Sequence, residues 1–453
     1  MKLLPTICLG VLLLPAMPVW SQTDNASQAA ASASPADDTP VQNDDRMPTP
    51  PPVSGQSYPT ALGSEERSNY LNGGVSFTAA YMDKAVVSDS GLALSDASYS
   101  IAPNISLDET TTRLHVVLAY APGYTFYHRT TSRDEADQNA SLTFSYRLTP
   151  HVSFTAHDDL QKTSNAFNPG DIAVTGPVTG GTEGPNFSVY SPIAARLANS
   201  GNVGLAYQFD RNSMVGVGGS YSNLHYPDLS GNAGLYDSAS QSGLAYYTHR
   251  LSKTNYLGVS YQFQRLVAYP TVGVADTHTQ SVLLFDTFYV TPKFSVSLYG
   301  GPQYAETSQL TPLPAAHSWT PQVGASLGWQ RRYTSFALGY THSVSGGGGL
   351  AGAVEMDGAS ASIRQRIART LTGTVSGGYA QNKVLVVSSL PGAIGSGHSI
   401  LGNAELEQQL GQQVRVELGY SRIHQNYATA ALLPDTNREF VSISYQFSKA
   451  LGR

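Results

Sequence analysis

The stretch Ser141–Ala156 reads SLTFSYRLTPHVSFTA. Leu142, Phe144 and Tyr146 alternate with Ser141, Thr143, Ser145 and Arg147, and beyond Thr149–Pro150 the alternation resumes with Val152 and Phe154 against Ser153 and Thr155. A period of two puts one set on each face of an extended chain, so the stretch reads as two strands around a tight turn. The fold then depends on what covers the apolar face. It is either the second sheet of a soluble sandwich or hydrocarbon around a closed ring.

The same unit recurs down the chain. LAYQFDRNSMVGVGG begins at Leu205, YTHRLSKTNYLGVSYQF at Tyr247 and LFDTFYVTPKFSVSLYG at Leu284, followed by LGWQRRYTSFALGY at Leu327, IRQRIARTLTGTVSGGY at Ile363 and AELEQQLGQQVRVELGY at Ala404. The turn centres fall about 40 residues apart, a spacing that also fits propeller blades. A blade would need four strands in that length, whereas each unit here offers two strands and a long Gly-, Ser- and Pro-rich loop. Short turns on one side and long loops on the other are the pattern of a transmembrane barrel. The alternation delimits eighteen strands between residues 73 and 447, with sixteen as the second choice. The expected fold is an all-β, antiparallel up-and-down transmembrane barrel over residues 69–453.

Composition agrees. The charged fraction is 13 %, about half that of an ordinary soluble domain, and 43 Gly and 27 Tyr stand against 14 Phe. A net charge of −6 gives no basic footprint, which argues against a nucleic-acid partner. The first 21 residues, MKLLPTICLGVLLLPAMPVWS, combine Lys2, an apolar run and the small residues Val19 and Ser21 before a cleavage point. Pro5, Pro15 and Pro18 interrupt the run, so a signal peptide is expected over 1–21 rather than a spanning helix. Cys8, the single cysteine, lies inside it, leaving the exported chain without thiol chemistry or disulfides. Residues 22–68, with ASQAAASASPADD and MPTPPPV, have too little apolar surface to repay ordering and read as a disordered periplasmic linker.

Parity assigns the faces. An Arg on the lipid face at mid-bilayer costs about 2–4 kcal/mol. Charged strand residues are therefore expected inward: Arg113, His115, Arg147, His157, Asp286, Arg364, Glu405, Glu407, Arg415 and Glu417. Tyr146, Tyr207, Tyr289, Trp329, Tyr340, Tyr445 and Phe447 are expected outward, as an aromatic girdle at the lipid–water boundary. Keeping Glu405, Glu407, Arg415 and Glu417 on one face requires an odd-numbered turn. That brings Arg415 opposite Glu405 or Glu407, and an ion pair on the inner wall is expected there.

The remaining inward positions are mostly Ser, Thr, Gly, Ala and Gln, too small to fill so wide a ring, so an aqueous channel is expected unless a loop plugs it. The longest loop, from Asp159 to Ala198, is either a surface-exposed flap or, folded inward, the element that sets the bore. The glycine run Gly346–Gly349 lies in another outer loop and follows no strand-to-helix turn, so it is not a nucleotide site. His157, Asp158 and Asp159 are placed at a strand's outer end. Without a second His–Asp or Ser–His set they make no catalytic site, and two adjacent carboxylates supply too few oxygens for Ca²⁺. The eleven His are scattered without metal-ligand spacing, and no cofactor signature is present.

Four segments, AYMDKAV from Ala80, SIAPNISL from Ser100, LAYAPGYTFY from Leu118 and SYRLTPHVSF from Ser145, resemble the β-barrel porin-like family of outer-membrane proteins often associated with exopolysaccharide systems. MDK stands where that family carries an acidic-acidic-Asn pattern. The last strand, REFVSISYQF, looks like the signal read by the barrel-assembly machinery, although SKALGR follows its terminal aromatic, Phe447. The resemblance implies outer-membrane lipid as the solvent of the outer face, and polysaccharide as a candidate partner. The expected function is a channel for small hydrophilic solutes or saccharide. The alternative is a non-conducting surface barrel whose outer loops serve adhesion or structure. An enzyme is not expected.

Overall fold

The computed structural model describes residues 69–451 except 88–92, 132–133, 164–194, 228–234, 271–273, 292, 309–315, 351, 386–394 and 428–434. The expected signal peptide, the linker and the middle of the 159–198 loop lie outside the described residues.

Eighteen antiparallel strands form one closed sheet. In order they are β1 (Asn69–Val87), β2 (Ala93–Thr110), β3 (Leu114–Tyr127), β4 (Glu135–Thr149), β5 (Val152–Thr163), β6 (Arg196–Asp210), β7 (Ser213–His225), β8 (Asp237–Ser252), β9 (Asn255–Tyr269), β10 (Ala275–Thr291), β11 (Phe294–Ser308), β12 (Ala316–Gln330), β13 (Thr334–Ser345), β14 (Val354–Arg366), β15 (Leu371–Val384), β16 (Gly397–Leu410), β17 (Val414–Tyr427) and β18 (Asp435–Ala450). Each pairs with its sequence neighbours, and β1 pairs with β18 from Tyr70↔Ala450 to Met82↔Arg438. The ring therefore leaves no terminal strand unpartnered, which is what a membrane demands of a sheet. The first half of SKALGR is no appendage: Ser448, Lys449 and Ala450 continue β18 against Asn72, Leu71 and Tyr70.

The short turns are built locally. In those after β2, β4, β6, β8 and β10, a Thr, Ser or Asp at the strand end accepts backbone N–H groups that the ladder leaves over. Thr149 Oγ1 accepts from His151 and Val152, Thr111 Oγ1 from Leu114 at 3.0 Å, and Asp210 Oδ1 from Arg211 at 2.7 Å. At the other end several strands run past the limits that alternation suggests. β5, for example, reaches Thr163 and β6 starts at Arg196, so both ends of the expected 159–198 loop are strand. Beyond the lipid the apolar period fades while the hydrogen-bonded ladder continues.

Register pairs like with like across the outer face: Leu118↔Leu142, Tyr146↔Phe154, Leu327↔Leu338, Leu406↔Leu418 and Leu418↔Val441. Leu118, Leu142, Leu338, Leu406, Leu418 and Val441 stand exposed on the isolated chain, and Tyr146, Phe154 and Leu327 are half-buried. A continuous belt of this kind is untenable in water and favourable against acyl chains. Above it the outward face turns polar at one height around much of the ring. His225 pairs with Asp237 at 2.6 Å, Arg265 with Asp276 at 2.6 Å, His342 with Asp357 at 2.8 Å and His424 with Asp435 at 2.8 Å. His residues that look scattered in sequence are aligned by the barrel into an outer rim.

The inner face holds a repeated packing device. Directly opposed glycine and aromatic residues, Gly216↔Tyr246, Gly258↔Phe285, Gly324↔Tyr299 and Gly419↔Phe440, lay each ring flat over the glycine of the next strand. A Cβ on any of these glycines would come within 2.1–2.2 Å of the ring. Each glycine is thus the socket for a ring that would otherwise project into the bore.

Candidate functional site

The interior has two kinds of wall. From β8 to β13 its inward residues are almost all uncharged: Ser, Thr, Gly, Gln and the socketed aromatics. Gln322 Nε2 on β12 reaches Gln262 Oε1 on β9 at 3.5 Å, a bond that skips two strands and so identifies this face as the inside of the ring. The sector from β14 through β18 to β5 carries most of the charge. Arg415 Nε lies 3.7 Å from Glu407 Oε1, and Glu405 and Glu417 share the same face. Arg438 stacks on the socketed ring of Phe440 at 4.7 Å.

The turn between β16 and β17 is odd-numbered, residues 411–413, with Gly411 at φ 76°. Arg415 is opposite Gln409, however, and Glu407 is opposite Glu417, so the Arg415–Glu407 pair is diagonal rather than direct. The expected facing of Arg415 with Glu405 or Glu407 is one cross-strand pair out of register.

On β4 and β5, Thr143 Oγ1 lies 3.0 Å from His157 Nδ1, and His157 Nε2 lies 2.6 Å from Asp159 Oδ2. The triplet sits within β5, not at its outer end, and alternation splits it: His157 and Asp159 face inward, while Asp158 faces out opposite Leu142. A hydroxyl–His–carboxylate line is hydrolase-like, but acyl transfer also needs converging N–H donors. The backbone around it is paired in the β4–β5 and β5–β6 ladders, so the line reads as a wall network.

His115 faces inward, with Nε2 3.4 Å from Asp108 Oδ1, and Arg147 and Arg364 occupy inward positions opposite Ser153 and Ser335. Three expectations are corrected. Arg113 is in the 111–113 turn and not on the wall. Asp286 faces outward, opposite Leu257 and Leu298 and between Leu284 and Phe288. Tyr289 faces inward, its ring edge-on to Tyr256 at 5.9 Å, and is no girdle residue. One cause explains the last two. Both faces of β10 are apolar, because Leu283 and Phe285 occupy the inner wall over neighbouring glycines, so period two cannot say which set meets lipid. Tyr146, Tyr207, Trp329, Tyr340, Tyr445 and Phe447 occupy outward positions.

The feature that most shapes the interior is the β13–β14 hairpin. β12 and β13 pair only from Gln330↔Ser335 to Val323↔His342, although β13 continues to Ser345 and stays paired with β14 to Ser345↔Val354. Above His342 the hairpin leaves the wall and crosses the bore. Val344 N–H donates to Gln303 Oε1 on β11 at 2.9 Å, and Tyr236 N–H to Gly349 O at 2.8 Å. Leu350 is 0 % exposed, packed with Ala198, Leu224, Tyr226 and Leu235 from β6, β7 and the chain that follows β7, and with Tyr427 of β17. The constricting element among the described residues is thus the glycine-run loop. Its sequence signal was available: GGGGLAGAV places Leu350, two Ala and Val354 where an outer loop exposed to water would carry polar residues.

No family model matches the chain, and no curated protein matches it. Among solved structures it is similar to OccAB4 of Acinetobacter baumannii, with 10 % identity, a TM-score of 0.41 and coverage of 85 % of this chain and 100 % of that one. It is similar to OccK2 (OpdF) of Pseudomonas aeruginosa at 10 % identity and TM-score 0.44, covering 85 % and 99 %. A third likeness is to the FrpB iron transporter of Neisseria meningitidis, at 9 % identity and TM-score 0.40, covering 81 % and 64 %.

Proposed function

We propose that the protein is an outer-membrane channel for small hydrophilic solutes, with both termini periplasmic. The observation that carries the reading is the contrast between the two faces of one closed ring. Outside stands a belt of large apolar residues, and inside a wall of Ser, Thr and Gln with one charged sector. A polar wall that spans the membrane has no use unless water and solute meet it. The inward residues His115, Arg147, His157, Arg364, Glu405, Glu407, Arg415 and Glu417 would set the field along the path, and the outward aromatics would anchor the barrel between the leaflets' boundaries. Uncharged Gln and flat aromatic rings on the facing sector suit polyhydroxylated solutes, saccharide among them. Outer-membrane lipid and, through the last strand, the barrel-assembly machinery are the partners this reading implies.

The packed hairpin favours a second reading, a non-conducting surface barrel, because it buries apolar side chains across the bore. Planar-bilayer recording of the refolded protein separates the two. Discrete conductance steps support the channel, and silence from a correctly folded barrel supports the surface role.

A further inference from the structure

A strand that leaves its ladder also leaves an edge behind. Among the described residues, β12 from Ala316 to Gln322 pairs only with β11, so its other edge offers backbone donors and acceptors that nothing described takes up. On its far side the hairpin remains continuous with the wall, since β14 follows β15 to Val354↔Val384 and β15 follows β16 to Asn382↔Gly397. The flap is therefore detached from β12 along one edge and hung from β15 along the other.

We propose that the outer ends of β13 and β14 are a gate, which moves between the folded-in position across the bore and a position in the wall docked on the free edge of β12. The inference rests on the channel reading. Extending the observed register past Val323↔His342 sets Gln322 against Ser343, Pro321 against Val344 and Thr320 against Ser345. Parity stays consistent: the Gln, Thr and Ser residues face the bore, and Pro321 and Val344 face out, level with Trp319, which is 73 % exposed. The segment is thus patterned for a wall it does not occupy. In the folded-in position the same Val344 is fully buried with Leu266, Ala305 and Ala353, and its N–H is satisfied by the Gln303 side chain. One segment has a partner in either place.

The parts suit a hinge. At the last β12–β13 pair, His342 bonds Asp357 at 2.8 Å and lies 3.4 Å from Glu355, which also holds Lys383 at 3.1 Å, so β13–β15 are tied together on their outward face. Gly348 and Gly349, at φ 60° and 106°, let the tip fold without strain. Pro321 brings no N–H to the docked ladder, so the wall position is not over-stabilised. Across the bore the tip is held by the apolar contact of Leu350, which is non-directional, together with the Tyr236 N–H and Tyr226 hydroxyl that donate to Gly349 O and Gly348 O.

The test uses the single cysteine to advantage. In a Cys8→Ser background, Thr320→Cys with Ser345→Cys places two thiols opposite each other only in the docked state. Gln330→Cys with Ser335→Cys, opposed in the structure, serves as the control for a folded barrel. Oxidation in native membranes should cross-link both pairs, and adding Leu350→Ala should speed the upper pair at least threefold without changing the control. A control that cross-links while the upper pair stays reduced in both backgrounds overturns the gate. Conductance is read separately. A larger conductance in the oxidised upper pair than in its reduced form supports gating, and equal conductance overturns it. A barrel that cross-links but conducts in neither form overturns the channel reading while the movement stands.

Discussion

Gly258→Ala isolates the ring-and-socket packing of the inner wall. A Cβ at Gly258 would lie 2.1 Å from Phe285 Cζ, 2.6 Å from Phe285 Cε2 and 2.6 Å from the Tyr247 carbonyl oxygen. The ring is buried and cannot swing away freely, and the carbonyl belongs to the β8–β9 ladder, so both sides of the socket must shift. Overpacking of this kind costs about 1–3 kcal/mol. Against it stands a gain of about 0.5–1 kcal/mol from the lost flexibility of glycine in a strand. Gly243→Ala provides the reference, since its Cβ meets nothing within 4 Å and it keeps only the gain. The difference between the two variants therefore reads the packing penalty alone. Urea unfolding from lipid vesicles, followed by tryptophan fluorescence and heat-modified gel mobility, should place Gly258→Ala about 1–3 kcal/mol below Gly243→Ala. Adding Phe285→Ala should remove the ring's part of that gap. Equal stabilities for the two alanine variants would refute the socket as a packing constraint.

Three further outcomes follow. Asp286→Leu should stabilise the barrel in bilayers by about 1–2 kcal/mol, because a carboxylate among Leu257, Leu284, Leu298 and Phe288 opposes the lipid, at a cost below that of Arg or Lys; the same urea titration reads it, and destabilisation would return Asp286 to the bore. Arg415→Ala should change stability by under about 1 kcal/mol, since the 3.7 Å pair with Glu407 is partly hydrated. It should also move the reversal potential in a salt gradient toward cation preference, and an unmoved potential would remove the charged sector from the permeation path. Ending the chain after Phe447 removes the pairs of Ser448, Lys449 and Ala450 with β1, and should lower the unfolding midpoint while leaving the strand content by circular dichroism nearly unchanged.

Strands, turns and strand number were legible because each rests on a local rule. Period two marks the apolar face, and Thr–Pro, Ser–Lys and Asp–Arg mark turns whose side chains bond their own backbone. Faces were legible wherever one side is polar, as in β4 and β17. They were not legible in β10, where glycine sockets on β9 admit Phe285 to the inner wall and make both faces apolar. The partner of Arg415 was readable to within one cross-strand step, since parity fixes the face but the length of the turn fixes the register. The outer rim of His– and Arg–carboxylate pairs escaped because each pair spans an outer loop, 11 to 15 residues apart, whose sequence does not fix the register, and the pairs come level only around the ring. The crossing hairpin escaped for a different reason. The apolar residues around Leu350 signal a buried tip, but where β13 departs from β12 depends on Gln303, Leu266 and Leu224 waiting on distant strands, and no local pattern carries that position.

The seam between β1 and β18 has a consequence for how the molecule is made. The first strand to emerge is the partner of the last, so its edge stays open through the synthesis of everything between them. No partly finished chain can close the ring through this seam. For this barrel, birth in the membrane is an all-at-the-end event, with the closing stitch made by the final residues of β18.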